Sequence, residues 1–435
     1  MSAVRLFRLA GSLDDLPAAE RLRLCNRDTH PDDRVSSTTA SIIAYVRTGG
    51  DNALRALANE FDHAQIDALE VPPAVLDAAR RALPPALLEA LQHAARSIEA
   101  VHRPLLPRAE EVEPARGVRI GLRPDPLARV GVYAPGGSAA YPSSVLMGVI
   151  PARIAGVGEV IVCSPPDASG QPSRAVMAAA AIAGADRMFA IGGAGAIAAM
   201  AWGTESVPRV DRIVGPGNAW VAEAKRQVSG HVGIDSPAGP SELLIIADES
   251  ADPDHLAREA IAQAEHGSDS SIVLISPSIP VVDRFTTRVA RELDAAPRGQ
   301  FIRESLARNG AVLTVSSVEQ AVTFANEYAA EHVLLALADP EPVLRELRHA
   351  GTVCFGTGAS VVLGDYITGA NHVLPTGGRA RSYSGLSTRD FVRWTTWQRV
   401  DRLAAAHLAE SAARIADSEG LGAHAHAARG WGVAS

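Results

Sequence analysis

The sequence has few cysteines and few aromatic residues. Its three cysteines, Cys25, Cys163 and Cys354, are far apart among 435 residues and show no Cys-x-x-Cys spacing. This pattern indicates neither a disulfide framework nor a thiolate zinc site, and it fits a reducing cytosol. Only 4% of the residues are aromatic, while Ala, Val and Gly are abundant, a composition that favours α/β layers over a β-sandwich.

Long hydrophobic runs and excess positive charge are also missing. The longest apolar run, residues 175–185, is too short to span a bilayer, and Arg5 and Arg8 interrupt the apolar residues at the N-terminus. Lys and Arg number 41 against 49 Asp and Glu, so the formal net charge is −8. This balance disfavours a general nucleic-acid or membrane surface. We therefore expect a cytoplasmic protein with neither kind of partner.

The alternation of apolar segments predicts an α/β fold with two Rossmann-like parallel sheets. Residues 1–128 are expected to be a helical N-terminal region that packs partly on the second α/β domain. The first α/β domain is placed at 129–238 and the second at 239–380, followed by a helical tail at 381–435. Predicted strands of the first domain lie near 130–134, 159–163, 187–191 and 210–214, and those of the second at 242–247, 271–275, 311–315, 333–337 and 352–355.

Two polar pairs stand next to predicted elements of the second domain. Gln263 and His266 are three residues apart at the end of a predicted helix, 253–265, where both side chains on one face could bind a divalent metal. They could equally form a polar helix end, with His266 near the negative pole of the dipole. Glu331 and His332 precede an apolar strand and could serve as acid and base, or be a solvated dipeptide.

Further candidates lie in segments of the sequence that show no amphipathic period. Asp365 and His372 lie in a stretch with two glycines and could be metal ligands or hydrogen-bonding groups, or belong to a surface loop. His424 and His426 could be ligands or a solvated helix end. Cys354 could in principle form a thioester, but its neighbours indicate an inert residue in a buried strand.

Two glycine turns could meet a nucleotide phosphate. Gly192-Gly-Ala-Gly195 and Gly215-Pro-Gly-Asn218 each follow a predicted strand and open a predicted helix, where backbone N–H groups point outward. The first turn matches Gly-x-Gly-x-x-Ala, but no acidic residue follows at the expected spacing. A conventional dinucleotide fingerprint is therefore not established.

Eight ordered segments carry a family resemblance over nearly the whole chain. They are RVGVYAPGG (129–137), YPSSVLM (141–147), VDRIVGPGNAWVAEAKR (210–226), DSPAGPSELLIIAD (235–248), AQAEHGSDS (262–270), AAEHV (329–333), GDYITGANHVLPT (364–376) and EGLGAH (419–424). Together they resemble the histidinol dehydrogenase family. The resemblance implies a zinc-dependent, NAD-linked, cytoplasmic homodimer that oxidises L-histidinol through L-histidinal to L-histidine in histidine biosynthesis with two NAD.

The resemblance also implies roles for individual residues. It places the catalytic pair on Glu331 and His332, and NAD contacts on Tyr133 and Asn218. The implied zinc ligands are Gln263, His266, Asp365 and His424, the last of these from the partner subunit. Substrate contacts would come from these four ligands and from Ser241, His332, His372 and Glu419, with Glu419 also lent to the neighbouring site by the dimerising tail.

One departure and two alternatives remain. The family's usual Gly-Gly-Ala-Gln turn reads Gly-Gly-Ala-Gly here, so we expect a side-chain contact to the dinucleotide to be missing at Gly195. A member of this fold could oxidise another amino- or sulfo-alcohol instead of histidinol. A relative that only binds a ligand is the third possibility, against which the retained metal positions and the Glu331–His332 pair argue.

Overall fold

The computed structural model describes residues 6–27, 32–136, 140–237 and 239–432. Gly137 and Ala238, which belong to two of the eight segments, lie outside the described residues. The strands are β1 Leu9–Ser12, β2 Glu70–Val71, β3 Glu110–Ala115, β4 Val118–Pro126, β5 Arg129–Tyr133, β6 Glu159–Ser164, β7 Arg187–Ala190, β8 Arg212–Val214, β9 Gly233–Ile234, β10 Glu242–Ala247, β11 Ser271–Ser276, β12 Ala311–Thr314, β13 His332–Ala336, β14 Thr352–Phe355 and β15 Val392–Val400.

The α-helices occupy most of the segments between the strands. They are α1 Ala18–Cys25, α2 Asp33–Phe61, α3 Pro73–Arg81, α4 Pro85–His102, α5 Pro142–Ala155, α6 Arg174–Ala183, α7 Gly193–Trp202, α8 Ala219–Val228, α9 Pro253–Ala264, α10 Ile279–Ala295, α11 Gly299–Asn309, α12 Val318–Tyr328, α13 Glu341–Glu346, α14 Val361–Tyr366, α15 Arg402–Ser418 and α16 Gly422–Arg429. No helix of the described residues is long and apolar enough to cross a membrane.

Two six-stranded sheets form the centre of the molecule. The first has the order β2-β7-β6-β5-β8-β9 and is parallel except for its edge strand β2. The second has the order β1-β12-β11-β10-β13-β14 and is parallel throughout. Central strands such as β10 and β11 are buried along their whole length, as expected where helices cover both faces of a sheet. The predicted pair of parallel sheets is confirmed.

The N-terminal region is not only helical, contrary to the prediction. Strand β1 pairs with β12 at the edge of the second sheet, and β2 pairs with β7 at the edge of the first. These strands have four and two residues, too few for a hydrophobic period to show in the sequence. The region therefore contributes to both domains: Phe7 and Leu24 lie in the core around the second sheet, whereas α2 and α4 pack on the first.

The C-terminal tail also departs from the helical prediction. Strand β15 pairs antiparallel with β4, and β3 completes a three-stranded sheet. Its sequence, VRWTTWQRV, is rich in β-branched and aromatic residues, a strand signal that the prediction overlooked. Helices α15 and α16 then pack on each other around Ala413, Ala416 and Ala425. The domain boundaries at residues 129, 239 and 381 stay predictions.

Candidate functional site

Glu331 and His332 stand at the amino end of strand β13. Their exposed fractions are 7% and 4%, so the alternative of a solvated dipeptide is wrong. Because β13 is a central strand between β10 and β14, both side chains are enclosed by neighbouring strands. Burial raises the pKa of Glu331, although the adjacent His332 acts in the opposite direction. A carboxyl group with a raised pKa is suited to accept a proton near neutral pH.

The ring of His332 is held in a defined orientation. Its Nδ1 lies 3.2 Å from the carbonyl oxygen of Glu242, which can only accept a hydrogen bond, so Nδ1 carries the proton. Nε2 lies 3.4 Å from Oδ1 of Asp365 and has no hydrogen-bond partner among the described residues. Burial alone would lower the pKa of His332, but the carboxylates of Glu331 and Asp365 outweigh it and raise that pKa. A cation held by Asp365 would offset one of these two charges and so favour a free Nε2.

Asp365 and His372 converge on the same place. Asp365 lies in the last turn of α14 rather than in a loop, because Ser360 caps that short helix at the amide of Leu363. The backbone carbonyl of Asp365 is 2.7 Å from Nδ1 of His372. A cavity of about 270 Å³ is lined by His332, Asp365 and His372 together with residues of β14 and α14. Burial by itself would raise the pKa of Asp365, but the neighbouring His332 outweighs it and lowers that pKa.

Gln263 and His266 are placed differently from the prediction. Helix α9 ends at Ala264, so only Gln263 is helical and His266 lies in the following turn. Gln263 is 2% exposed and its amide nitrogen has no partner among the described residues. The hydroxyl of Ser241 is 3.0 Å from Nδ1 of His266, which leaves the other ring nitrogen available. Glu259 of α9 accepts a 2.8 Å hydrogen bond from the first amide of α14, so the two helices that carry these candidates are joined.

These residues fit a metal ion by their chemistry. A buried side-chain amide without a hydrogen-bond partner destabilises the fold. Rotation of the Gln263 amide by 180° exchanges its nitrogen and oxygen, so this side chain can offer an oxygen to a metal ion. A histidine oriented through one nitrogen by Ser241 is the usual arrangement of a metal-binding imidazole. Within the described ranges no three His, Cys, Asp or Glu side chains form a cluster that could hold a metal. His266 and Asp365 with Gln263 form an incomplete set, to which a further ligand would have to be added.

Glu419 and His424 lie on the C-terminal arm, defined here as β15, α15 and α16. Glu419 ends α15 and His424 belongs to α16, and both side chains are exposed. The described structure thus gives them no role within the cavity lined by His332.

The residues proposed for NAD lie at the carboxyl edge of the first sheet. Tyr133 ends β5, is almost fully buried and accepts a 3.1 Å hydrogen bond at its hydroxyl from the amide of Gly193. Asn218 is exposed and caps α8 by accepting hydrogen bonds from the amides of Trp220 and Val221. Both glycine turns therefore sit where helix N-termini open toward the same edge.

The surroundings of Gly195 are side chains of α2, and the missing contact to the dinucleotide stays a prediction. Gly195 is buried within α7, and a Cβ atom added there would lie 2.9 Å from Cδ1 of Leu57. Its neighbours are therefore side chains of α2, with Leu54 and Val46 next in distance. A side chain at this position would meet α2 first, so the glycine is explained by close packing of two helices.

Cys354 lines the cavity, although the sequence placed it in a buried strand. Strand β14 is an edge strand, which leaves Cys354 half-buried and Phe355 40% exposed. Burial nevertheless raises the pKa of the Cys354 thiol to about 11, and the charge of Asp365 acts in the same direction. The thiol stays protonated near neutral pH, so the inert assignment is favoured.

Two residues around the pair were missed by the sequence analysis. Glu242 begins β10 and Arg27 follows α1, and together they form a buried ion pair with Nε of Arg27 2.8 Å from Oε1 of Glu242. A glutamate that opens a strand of otherwise apolar residues was a usable signal. Arg27 gives no such signal, because its partner is 215 residues away in the chain.

Comparison with known proteins identifies the family. The model of the histidinol dehydrogenase family matches residues 25–430. Histidinol dehydrogenase of Halobacterium salinarum is 46% identical over 412 residues, 94% of this chain and 96% of the relative. That of Methanosarcina barkeri is 43% identical over 420 residues, 96% of each chain. The crystal structure of histidinol dehydrogenase from Elizabethkingia anophelis superposes with a TM-score of 0.93 at 32% identity, covering 98% of both chains. The chain belongs to the histidinol dehydrogenase family.

Proposed function

We propose that this protein oxidises L-histidinol through L-histidinal to L-histidine with two NAD, as the last step of histidine biosynthesis in the cytoplasm. The observation that carries the proposal is the buried Glu331–His332 pair, of which His332 meets Asp365 and His372 at one cavity. An acid–base pair of this kind is required where an alcohol and then a hydrated aldehyde each lose a proton.

His332 is assigned the proton of the substrate hydroxyl. Its Nδ1–H is donated to the carbonyl of Glu242, so the base is Nε2, on the side of Asp365. In the first oxidation Nε2 takes the hydroxyl proton while the carbon gives up a hydride. When bound, NAD accepts that hydride, and zinc orients the imidazole and amine of the substrate.

Glu331 is assigned the water of the second oxidation. An aldehyde has no second hydride to give until water adds to its carbonyl and forms a gem-diol. The Oε2 of Glu331 is 3.4 Å from Nδ1 of His332, so a proton taken from that water stays within the same pair. Loss of the second hydride and of one diol proton then gives the carboxylic acid, which releases its remaining proton to leave the carboxylate of histidine.

Zinc would be held by Gln263, His266, Asp365 and His424 of the partner subunit. The unpaired amide of Gln263 and the Ser241-oriented ring of His266 support this set. Ser241, His332, His372 and Glu419 complete the proposed contacts to the substrate, with Tyr133 and Asn218 for NAD. We expect chelation to abolish turnover and added zinc to restore it, because a set without thiolates exchanges its metal readily. Full turnover by protein shown to be free of metal would exclude zinc.

A homodimer is proposed because the C-terminal arm exposes apolar side chains. Leu403, Ile415 and Trp431 are 76%, 61% and 60% exposed, and the arm buries few residues within one chain. Around the cavity, Phe355, Leu363 and Tyr366 are exposed as well. Apolar patches on both surfaces are what an arm exchanged between two subunits would cover.

The number of NADH formed tests the function. We expect two NADH for each L-histidinol supplied in limiting amount, followed by absorbance at complete conversion. One NADH for each substrate would place the chain among simple alcohol dehydrogenases. Turnover only with another amino- or sulfo-alcohol would support the alternative specificity, and binding of histidinol without any NADH would support a ligand-binding relative.

A further inference from the structure

Glu242 is a charged residue at the start of a central, otherwise apolar strand. It opens β10, which lies between β11 and β13, and it is 3% exposed. A carboxylate removed from water at such a place is unfavourable unless every acceptor position is used. Its surroundings therefore need an explanation beyond strand formation.

The carboxylate of Glu242 accepts four hydrogen bonds. Oε1 accepts from Nε of Arg27 and from the amide of Gly377, each at 2.8 Å. Oε2 accepts from Nη2 of Arg27 at 3.0 Å and from the amide of Glu331 at 3.2 Å. The guanidinium fork thus holds the carboxylate in one plane, and the carboxylate in turn holds the backbone of Glu331.

The backbone of Glu242 contacts the same two residues from the other side. Its amide donates a 2.9 Å hydrogen bond to Oε2 of Glu331, and its carbonyl is the acceptor of Nδ1 of His332. Glu242 and Glu331 therefore bind each other reciprocally, each carboxylate accepting from the other residue's amide. The backbone at position 242 thus contacts the side chains of Glu331 and His332, while the Glu242 carboxylate holds the backbone of Glu331.

Arg27 is itself oriented by the second domain. Its Nη2 donates to the carbonyl of Tyr328 at 2.8 Å, and its guanidinium lies 3.4 Å from the centre of the Tyr328 ring. The hydroxyl of Tyr328 is 2.8 Å from that of Ser271, so the ring is tied to the sheet. A lysine has neither the planar fork nor the flat face for this stacking.

We infer that Arg27 and Glu242 are positioning residues, which set the orientation of Glu331 and, through it, the place of the adjoining His332. The inference rests on the roles proposed for that pair. Arg27 comes from the segment that follows α1, so the N-terminal region takes part in assembling the site. Neither residue touches the substrate in this account, and both act through Glu331 and His332.

The double variant Arg27→Met/Glu242→Gln separates positioning from stability. Removing one partner leaves a buried charge, whereas removing both is often neutral for stability. An amide has one acceptor oxygen instead of two, so it cannot hold the amides of Gly377 and Glu331 together. We expect kcat to fall about 10- to 100-fold, with KM for histidinol within about twofold and the urea midpoint close to that of the wild type.

The two half-reactions give a readout that stability does not affect. In single turnovers, oxidation of supplied histidinal should fall further than oxidation of histidinol, because Glu331 acts in the hydration step. Arg27→Lys, which keeps the charge but loses the fork, should give an intermediate rate. The matched control is Arg187→Met/Glu70→Gln. It removes another Arg–Glu pair joined by two hydrogen bonds, which lies in the first sheet, between β7 and the edge strand β2. Its half-reactions should keep their wild-type ratio.

Wild-type half-reactions in the double variant would overturn the inference. Equal losses in both half-reactions, in step with a lower urea midpoint, would also overturn it, because they indicate a purely structural pair. Failure of the proposed function has a different signature: Glu331→Gln would then retain wild-type turnover, or the wild type would not oxidise histidinol at all. Zinc content is measured in every variant, so loss of metal is not mistaken for loss of positioning.

Discussion

At the scale of residues, the candidate side chains differ most in their burial. Glu331 and His332 form an ordinary dipeptide in the sequence, yet they lie between two neighbouring strands, and Nε2 of His332 is 3.4 Å from Oδ1 of Asp365. The same low-dielectric setting strengthens their mutual interaction and raises the pKa of Glu331 by desolvation. By contrast, His266 lies in an exposed turn, where a partner subunit or a substrate can reach it.

Glu331→Gln tests the division of labour proposed for Glu331 and His332. The substitution keeps the size of the side chain and removes the base, so oxidation of supplied histidinal should fall about 10²- to 10⁴-fold. The first hydride transfer from histidinol, measured as NADH in a single turnover, should survive because His332 is intact. If both half-reactions fall equally at unchanged metal content, the two residues act as one unit and this division is wrong.

We expect the free energy of unfolding to fall at acid pH in part because Asp51 becomes protonated. Burial by itself would raise the pKa of Asp51, but hydrogen bonds from Ser206 and Thr204 outweigh it and lower that pKa. A lowered folded pKa means that the stabilisation is complete above the unfolded value of about 3.9 and is lost as pH falls through the folded value. Asp51→Asn should therefore cost about 1–3 kcal/mol at pH 7 and less toward pH 3.

Urea unfolding between pH 7 and pH 3 measures this difference. Glu249→Gln, at an exposed carboxylate, is the matched control and should stay within about 0.5 kcal/mol of the wild type. A constant gap between Asp51→Asn and the wild type across this range would show that the charge of Asp51 is not what stabilises the fold.

At the scale of elements, two helices depart from a regular amphipathic pattern, and each departure has a structural reason. Helix α14 has six residues, too few for an amphipathic pattern, and it carries Asp365. Helix α2 is interrupted at Gly50, whose φ of 53° and ψ of −136° are not helical. There the amide of Asp51 donates a 2.8 Å hydrogen bond to Oε2 of Glu205, which lies where a Cβ of Gly50 would be. The kink lets one long element follow the surface of the first domain.

Gly50→Ala should destabilise the protein by about 1–3 kcal/mol. A methyl group would be strained at the positive φ and would lie 2.3 Å from the Glu205 carboxylate. Gly230→Ala is the control, because a Cβ there meets nothing within 4 Å. Urea midpoints compare the two variants, and a neutral result for Gly50→Ala would mean that the kink relaxes without cost.

At the scale of the whole molecule, opposite edges of the two sheets carry the proposed chemistry. Tyr133 and the glycine turns lie at the carboxyl edge of the first sheet, whereas Glu242 and His332 open their strands at the amino edge of the second. The segment that contains Asn371 and His372 joins the domains: the amide of Asn371 donates to the carbonyl of Met147 at 2.9 Å, and His372 is 3.4 Å from the hydroxyl of Ser144. Residues of the first domain therefore contact His372, one of the residues that line the cavity.

Mixing two inactive variants tests whether the site is shared between subunits. If His424 serves the partner's site, His266→Ala and His424→Ala proteins should each be inactive, and verified subunit exchange should restore about a quarter of wild-type activity. Half of the dimers are then mixed, and each mixed dimer has one intact site of two. No recovery after exchange, or full activity in a monomer at high dilution, would contradict the shared site.

The sequence by itself determined the layered α/β fold, the order of its central strands along the chain and the family. These features are local or additive: apolar runs bounded by Gly and Pro specify strands, and eight ordered segments specify a family over most of the chain. Edge strands of two to four residues, such as β1 and β2, could not be foreseen, because they form only by pairing with a sheet built from distant residues.

Only the tertiary structure decided the environment of each candidate. It buried Glu331 and His332, left Glu419 and His424 exposed on the arm, and turned Gly195 toward α2. It also brought Arg27 to Glu242 across 215 residues of sequence. Desolvation, hydrogen-bond geometry and the approach of two helices depend on which distant residues become neighbours, and no local pattern in the sequence records that choice.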